Sequence, residues 1–265
     1  MTTAILRRPH QTLFTLQTDW ENLVPSLRLQ YGTYLSEAAA PAGEVITAAR
    51  HGAVCRVRYQ SQTTETAYPL EAIDSILFEN TRYDSAVFAM HGAAVEHGGR
   101  AYLFLAATTS GKTTLAGYLT SRGCGYVTDD CILLRREDFM VIPYAAPLHL
   151  REGGMEVLRR YHAAPPSALL LDDPVMRRMI YTPDNCVSAP LPLAGMFFIS
   201  RTEAENALLP MSANERMAAL MKAPITDYPV NGAYLRFLSS LARQADCRRL
   251  LYSDLAYVEE VVRGG

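Results

Sequence analysis

Arg100-Ala-Tyr-Leu-Phe-Leu-Ala-Ala-Thr-Thr-Ser-Gly-Lys-Thr-Thr-Leu-Ala-Gly-Tyr-Leu-Thr-Ser-Arg-Gly123 decides how the chain is to be read. Its opening, Arg100 to Ala106, is apolar, aromatic-bearing and too short for a helix, which predicts a buried strand. Ala93 to His97, just upstream, has the length of a partner strand, and Gly98-Gly99 between them is the dipeptide of a tight hairpin turn. Downstream, Lys112 to Ser121 has the composition of a helix, and Gly123 ends it. The eight residues joining strand to helix, Ala106 to Thr113, meet the pattern [AG]-x-x-x-x-G-K-[ST]. A strand, a short loop and a helix in this order aim backbone N–H groups and the positive end of a helix at one place, where an anion is stabilised.

The chemistry of that pattern assigns roles. The Lys112 ammonium would reach the β and γ phosphates of ATP or GTP, and the Thr113 hydroxyl would coordinate Mg²⁺. Ala106, Thr108, Thr109, Ser110 and Gly111, with Thr114 in the first helical turn, would surround the phosphates. The chain has 25 lysines and arginines, but Lys112 and Lys222 are its only lysines, so a compact ammonium survives here against a strong preference for arginine. Ala106 stands where the pattern usually has its first glycine, which makes the loop less permissive there. The competing reading is a Thr/Ser-rich turn with an incidental lysine.

Working outward, Gly125 to Thr128 reads as a short strand that ends on Asp129-Asp130. Two carboxylates at a strand end soon after such a helix suit a metal-holding group and a proton acceptor, whereas on their own they read as a capped, solvated turn. Cys131 to Arg135 and Phe139 to Tyr144 form a hairpin around Glu137-Asp138. Eight of the 15 prolines lie from Pro143 to Pro192, which predicts mostly loop with one helix, Gly153 to Tyr161. The remainder reads as strand 195–200, helices 213–222 and 232–244, strand 248–252 and helix 254–262. In residues 1–84 only Gln11 to Gln17 and Ala53 to Tyr59 alternate as strands do, and Ala72 to Asn80 fits helix or strand. The expected division is a small mixed N-terminal appendage, 1–84, and an α/β core, 85–265.

Composition narrows the partners. Of 265 residues 49% are hydrophobic and 20% charged, the balance of a globular protein with a core of its own. A formal net charge of −2 gives no reason to expect nucleic acid or an anionic membrane as partner. No apolar run approaches the roughly 18 residues of a membrane span, and Arg7-Arg8 lack the apolar stretch of a signal peptide. Cys55, Cys124, Cys131, Cys186 and Cys247 include no CxxC pair, which fits reduced thiols and a cytoplasmic location.

His91-Gly-Ala-Ala-Val, Gly98-Gly, the 106–113 loop, Thr114-Leu-Ala, Arg122-Gly-Cys-Gly-Tyr-Val-Thr-Asp-Asp130 and Ile142-Pro-Tyr together resemble the kinase core of bacterial HPr kinase/phosphorylase. They resemble still more its smaller relatives, which include lasso-peptide serine kinases. The resemblance is specific over His91 to Arg151, loose beyond it, and does not extend over 1–84. It implies a P-loop kinase core of HPr-kinase type, with Asp129 as general base, Asp130 helping to hold the metal, and His91 close behind the two aspartates; unaided, His91 reads as a core or turn histidine. Thr114 replaces a metal-helping Glu of the parent enzyme. No glycine-rich signature segment of the kind linked to the phosphorylase direction is evident, so that reverse reaction is not implied.

The reaction expected is Mg²⁺-dependent transfer of a γ-phosphoryl group from ATP or GTP to a Ser hydroxyl of a small protein or ribosomal peptide. A non-catalytic, nucleotide-gated peptide-binding module and a small-metabolite kinase are the alternatives, and a homo-oligomer is left open. Several residues carry two readings. His149 and Arg151 fit either γ-phosphate neutralisation or a surface ion pair. Arg177-Arg178 could dock an acidic peptide, close over nucleotide or form a solvated cluster. Arg201, at a strand end where ligands often bind, is undecided. Lys222 reads as a favourable charge at a helix end.

Overall fold

Period-two alternation builds the centre of the molecule. In Arg100–Leu105, Ala101, Leu103 and Leu105 belong to one apolar cluster, while Tyr102 and Phe104 between them belong to another. The strand is therefore covered on both faces, which is why its sequence reads as a continuous apolar run. The computed structural model describes residues 2–6, 13–21, 23–38, 40–82, 86–107, 110–167, 170–173, 177–225 and 230–264. Thr108 and Thr109 of the phosphate-loop pattern lie outside the described residues.

The chain begins with β1 (Thr2–Leu6), β2 (Phe14–Thr18), α1 (Leu23–Tyr31), β3 (Leu35–Glu37), β4 (Glu44–His51), β5 (Val54–Tyr59), β6 (Gln62–Thr66) and α2 (Pro69–Arg82). Its strands make one six-stranded sheet in the order β3-β1-β2-β4-β5-β6. Leu16, Ile46 and Val57 of the sheet, Leu27 of α1, and Ile73 and Leu77 of α2 share one buried cluster. The segment 72–80, open between helix and strand in sequence, is thus helical, with Ile73 and Leu77 one turn apart on its buried side. Strand β4 escapes sequence reading because Ala48-Ala49 at its centre have little strand preference, and pairing with β2 and β5 decides the matter.

There follow β7 (Val87–Met90), β8 (Gly92–His97), β9 (Arg100–Leu105), α3 (Lys112–Ser121), β10 (Gly125–Thr128), β11 (Ile132–Arg135), β12 (Val141–Ile142), β13 (Leu148–Arg151), α4 (Glu152–Arg160), β14 (Leu171–Asp173), β15 (Arg178–Tyr181), β16 (Leu193–Arg201), β17 (Ala207–Pro210), α5 (Ala213–Leu220), α6 (Gly232–Gln244), β18 (Cys247–Tyr252) and α7 (Leu255–Arg263). A second six-stranded sheet has the order β10-β8-β9-β16-β18-β17. Leu115 and Leu119 of α3 and Val258 of α7 join the cluster containing Phe104, whereas Leu238 and Leu241 of α6 join the one containing Leu103. The protein is a mixed α/β structure with helices on both faces of this sheet. The 143–192 region is more ordered than its prolines predict. It contributes the three-stranded sheet β13-β15-β14, whose strands of three or four residues are too short to show a period. Helix α5 stops at Leu220, so Lys222 lies beyond the helix rather than in its last turn.

The second sheet also sets where the site can be. β9, β16 and β18 run parallel, and their carboxyl ends share one edge of the sheet. β8 is antiparallel to both β9 and β10, so its start and the end of β10 reach the same edge. His91, the described ends of the 106–113 loop, Asp129-Asp130, Arg201 and Tyr252 therefore converge. The carboxyl edge of parallel strands is where open α/β sheets bind ligands. Among the described residues no helix is long and apolar enough to cross a membrane, and all five cysteines are free thiols.

Candidate active site

Gly111 is the hinge between loop and helix. It precedes α3 at φ +91°, a left-handed conformation that side-chain-bearing residues adopt at a cost, and has no side-chain cap to occupy the helix N-terminus. A β-carbon there would come within 3.2 Å of the Tyr252 hydroxyl. Upstream, the Ser110 hydroxyl donates to the Ala107 carbonyl at 2.7 Å, and the Tyr252 hydroxyl donates to the Ser110 carbonyl at 3.3 Å. Lys112 is 5% exposed, and its ammonium donates to the Ala106 and Ala107 carbonyls at 3.1 and 3.0 Å. Burial lowers its pKa, and Asp130 and Asp129 oppose that fall.

The two aspartates occupy contrasting environments. A β-bulge between Tyr126 and Thr128 shifts the register of β10 against β8 just before them, a device that re-aims the residues that follow. The Cys131 N–H donates to the Asp129 carbonyl at 2.9 Å, closing a three-residue turn with Asp130 at its centre at φ +64°. Such a conformation costs on the order of 1–3 kcal/mol for a non-glycine residue and is found at sites where the surroundings enforce it. The Thr128 hydroxyl, donating to the Cys131 carbonyl at 2.7 Å, braces the turn. Asp129 is 1% exposed, and among the described residues neither of its carboxylate oxygens has a hydrogen-bond partner. Burial, and next the Asp130 carboxylate, push its pKa up to about 8; Thr113, the Asp130 backbone and Lys112 pull the other way without closing a hydrogen bond on either oxygen. Asp130 is exposed and faces the cavity described next.

That cavity has a volume of about 640 Å³ and is lined by His91, Gly111, Lys112, Thr113, Thr114 and Asp130 on one side. Arg151, Arg160, Arg178 and Arg201 line the remainder together with His149 and Tyr252. Arg160 is paired with Glu156, and Arg178 with Glu71 of α2, at 3.5 and 3.8 Å. Arg151 and Arg201 form no ion pair among the described residues. Among the described residues Asp130 is the only acidic side chain in this lining, so the cavity is a local excess of positive charge on a chain of net charge −2. A concave surface of this kind focuses potential on an anion.

Of the residues singled out in sequence, His91, Gly111, Lys112, Thr113, Thr114 and Asp130 are brought together at the cavity, and so are His149, Arg151, Arg178 and Arg201, each of which the sequence left open. Ala106 and Ser110 stand in its supporting loop, and Asp129 lies behind the wall. His91 Nδ1 donates to the Asp130 carbonyl at 3.2 Å, and its Nε2 is buried with no hydrogen-bond partner among the described residues. Thr114 is turned toward α4, where a β-carbon on Gly154 would lie 2.7 Å from its hydroxyl oxygen. Tyr252 and Arg160 were not singled out. Their only sequence signal is position, at the end of a strand and in the last turn of a helix.

No protein-family model matches the chain, and no curated protein matches it. Among solved structures it is similar to the Hpr(Ser) kinase/phosphatase from Coxiella burnetii. The identity is 14%, with 66% of this chain and 88% of that chain covered, at a TM-score of 0.34.

The residues at the cavity suit a polyphosphate and a divalent cation. Anions are favoured by Lys112, the uncapped α3 N-terminus and the arginines. A cation is favoured by Thr113 and Asp130 on the cavity wall and by the unpartnered Asp129 carboxyl behind it. Mg²⁺ commonly needs only one or two protein carboxylates, taking its other ligands from phosphate and water.

Proposed function

We propose that this protein is a P-loop kinase that transfers the γ-phosphoryl group of ATP or GTP to a serine hydroxyl of a small protein or peptide. The observation that carries this reading is the convergence, at one sheet edge, of a buried lysine at an open helix N-terminus with two aspartates in opposite environments. The finer fold reading belongs to the same proposal: a kinase core of HPr-kinase type over 85–265, with 1–84 as an N-terminal appendage.

In this reading the loop amides and Lys112 hold the phosphates, and Thr113 and Asp130 hold Mg²⁺. The metal, when bound, supplies charge neutralisation at the β and γ oxygens. Asp129 is the general base. A carboxyl whose pKa lies near neutrality combines a useful ionised fraction with real basicity, and aspartates with pKa values pushed apart divide acid–base and charge-holding roles between them. The acceptor hydroxyl proton passes to Asp129, the acceptor oxygen forms its bond to γ-phosphorus, and the nucleoside diphosphate leaves with the electron pair of the broken P–O bond. Lys112 spreads the charge that develops. A second assignment is favoured by one observation: Asp130, not Asp129, lines the cavity. It exchanges the two roles, with Asp130 as base and Asp129 behind the metal.

The test is mass spectrometry of a panel of serine-bearing peptides after incubation with Mg-ATP or Mg-GTP. Phosphorylated peptide with the wild type and none with Lys112→Ala is the expected result. Equal phosphorylation by both proteins would remove the role given to the loop.

A further inference from the structure

We infer that Arg201 is a second phosphate-binding cation of this site, reaching the terminal phosphate of a bound nucleoside triphosphate from the neighbouring strand. The inference rests on the nucleotide reading above and goes beyond it, because the phosphate-loop pattern contains no such residue.

Three observations place Arg201. It is the last residue of β16, opposite Tyr252 in the parallel pairing of β16 with β18, so both side chains leave the sheet at its carboxyl edge. Both also press on one residue of the loop: a β-carbon on Gly111 would lie 3.2 Å from the Tyr252 hydroxyl and 3.8 Å from Arg201 Cδ. Arg201 borders the same cavity as Lys112, Thr113 and Asp130, and its guanidinium lies beyond the Cδ that meets Gly111. Finally, Arg201 is exposed and makes no hydrogen bond or ion pair among the described residues, although long arginines elsewhere on the chain, such as Arg56, Arg122 and Arg249, find carboxylates. Tyr252 and Tyr161 both feel its positive charge, and Lys112, Asp130, Arg151 and Arg160 border the same cavity.

The physical consequence follows from the fork of the side chain. A guanidinium offers paired N–H donors that match phosphate oxygens, and it cannot lose its proton. Lys112 extends from the helix side of the loop and Arg201 from the strand side, so the two cations flank the loop at Gly111. An arginine supplied by the same chain to the transferring phosphoryl group stabilises the charge that builds there. Arg201 therefore distinguishes a triphosphate from a diphosphate, which lacks the γ-phosphate that it would hold.

Calorimetric titration of Mg-ATP and Mg-ADP into wild type, Lys112→Ala and Arg201→Gln tests this. Arg201 is exposed at a strand end, and an unchanged melting temperature would show that Arg201→Gln is folded. The expected result is a loss of roughly ten- to a hundredfold in Mg-ATP affinity for Arg201→Gln, the usual span for a charged hydrogen-bonded contact, with Mg-ADP affinity unchanged. Unchanged binding of both nucleotides, or equal weakening of both, would overturn the role of Arg201 while leaving the nucleotide site standing. Failure of the wild type to bind either nucleotide would overturn the nucleotide reading itself, and this inference with it.

Discussion

His91 holds Asp130 through its main chain: the imidazole Nδ1 donates to the Asp130 carbonyl at 3.2 Å. A carbonyl can only accept, so the Nδ1 position carries the proton. The bond fastens the one residue that separates the sealed Asp129 carboxyl from Cys131, and Asp130 sits there at φ +64°. A side chain between β7 and β8 thereby keeps a strained turn in place, and the acidic pair keeps its inside–outside arrangement.

Removing that fastening should be felt in stability and in rate. His91→Ala is expected to cost about 1 kcal/mol, the net worth of an ordinary hydrogen bond at a partly exposed site. For a protein of this size that is a melting temperature lower by roughly 2–4 °C. Transfer should fall about 10–100-fold, the range for partners that orient a ligand-bearing residue. Unchanged melting and unchanged transfer would show that the turn holds itself.

Asp130→Gly separates stability from function in the opposite sense. Glycine adopts φ +64° without the side-chain penalty, so the variant should be more stable by about 1 kcal/mol. It should also need more Mg²⁺ for half-maximal nucleotide binding, since the carboxylate proposed to hold the metal is gone. Sites of this kind commonly exchange stability for activity. Thermal melting with a Mg²⁺ titration checks both halves, and a less stable variant would mean that the turn is not strained.

The Asp129 carboxyl predicts a pH dependence of definite sign. In the folded chain it keeps its proton up to about pH 8, whereas in the unfolded chain it ionises near the ordinary value of about 3.9. Between these values the native state binds the extra proton, so its contribution to stability is full below about pH 4 and is lost as pH rises toward about 8. Urea unfolding of wild type and Asp129→Asn at pH 5 and pH 8 measures it. The wild type should lose stability relative to Asp129→Asn between the two. Parallel behaviour would mean that Asp129 is ionised throughout.

What the sequence disclosed follows from how locally each feature is determined. The β8–β9 hairpin, the loop and α3 are contiguous, their signals are turn glycines and a fixed spacing, and the sequence limits of α3 coincide with the observed Lys112–Ser121. Asp129-Asp130 was visible because it follows a short strand, but the burial of one carboxyl and exposure of the other depend on a bulge and on packing against Tyr126 and Thr113, which no spacing shows. The short strands β13, β14 and β15 were hidden, since each owes its existence to partners distant in sequence. Arg151, Arg178 and Arg201 each drew notice singly, but their assembly with Arg160 into one wall was hidden for the same reason. Arg151, Arg160, Arg178 and Arg201 come from three strands and a helix, and a net charge near zero averages them away. Residue identities at the site were legible, then, where chemistry is written in consecutive positions, and not where the sheet assembles it.

The most direct measurement of the central claim is phosphoryl transfer to a verified serine peptide by Asp129→Asn and Asp130→Asn, beside Mg-nucleotide titrations of the same proteins. With Asp129 as base, Asp129→Asn should lose roughly 10²–10⁴ in transfer rate, the span for a positioned proton acceptor, while binding nucleotide as the wild type does. Asp130→Asn should weaken Mg²⁺ dependence and rate together. Wild-type transfer in Asp129→Asn, with the loss confined to Asp130→Asn, would assign the base to the residue that lines the cavity. Nucleotide binding with no transfer by the wild type to any hydroxyl acceptor would contradict the kinase account and leave a nucleotide-gated binding module in its place.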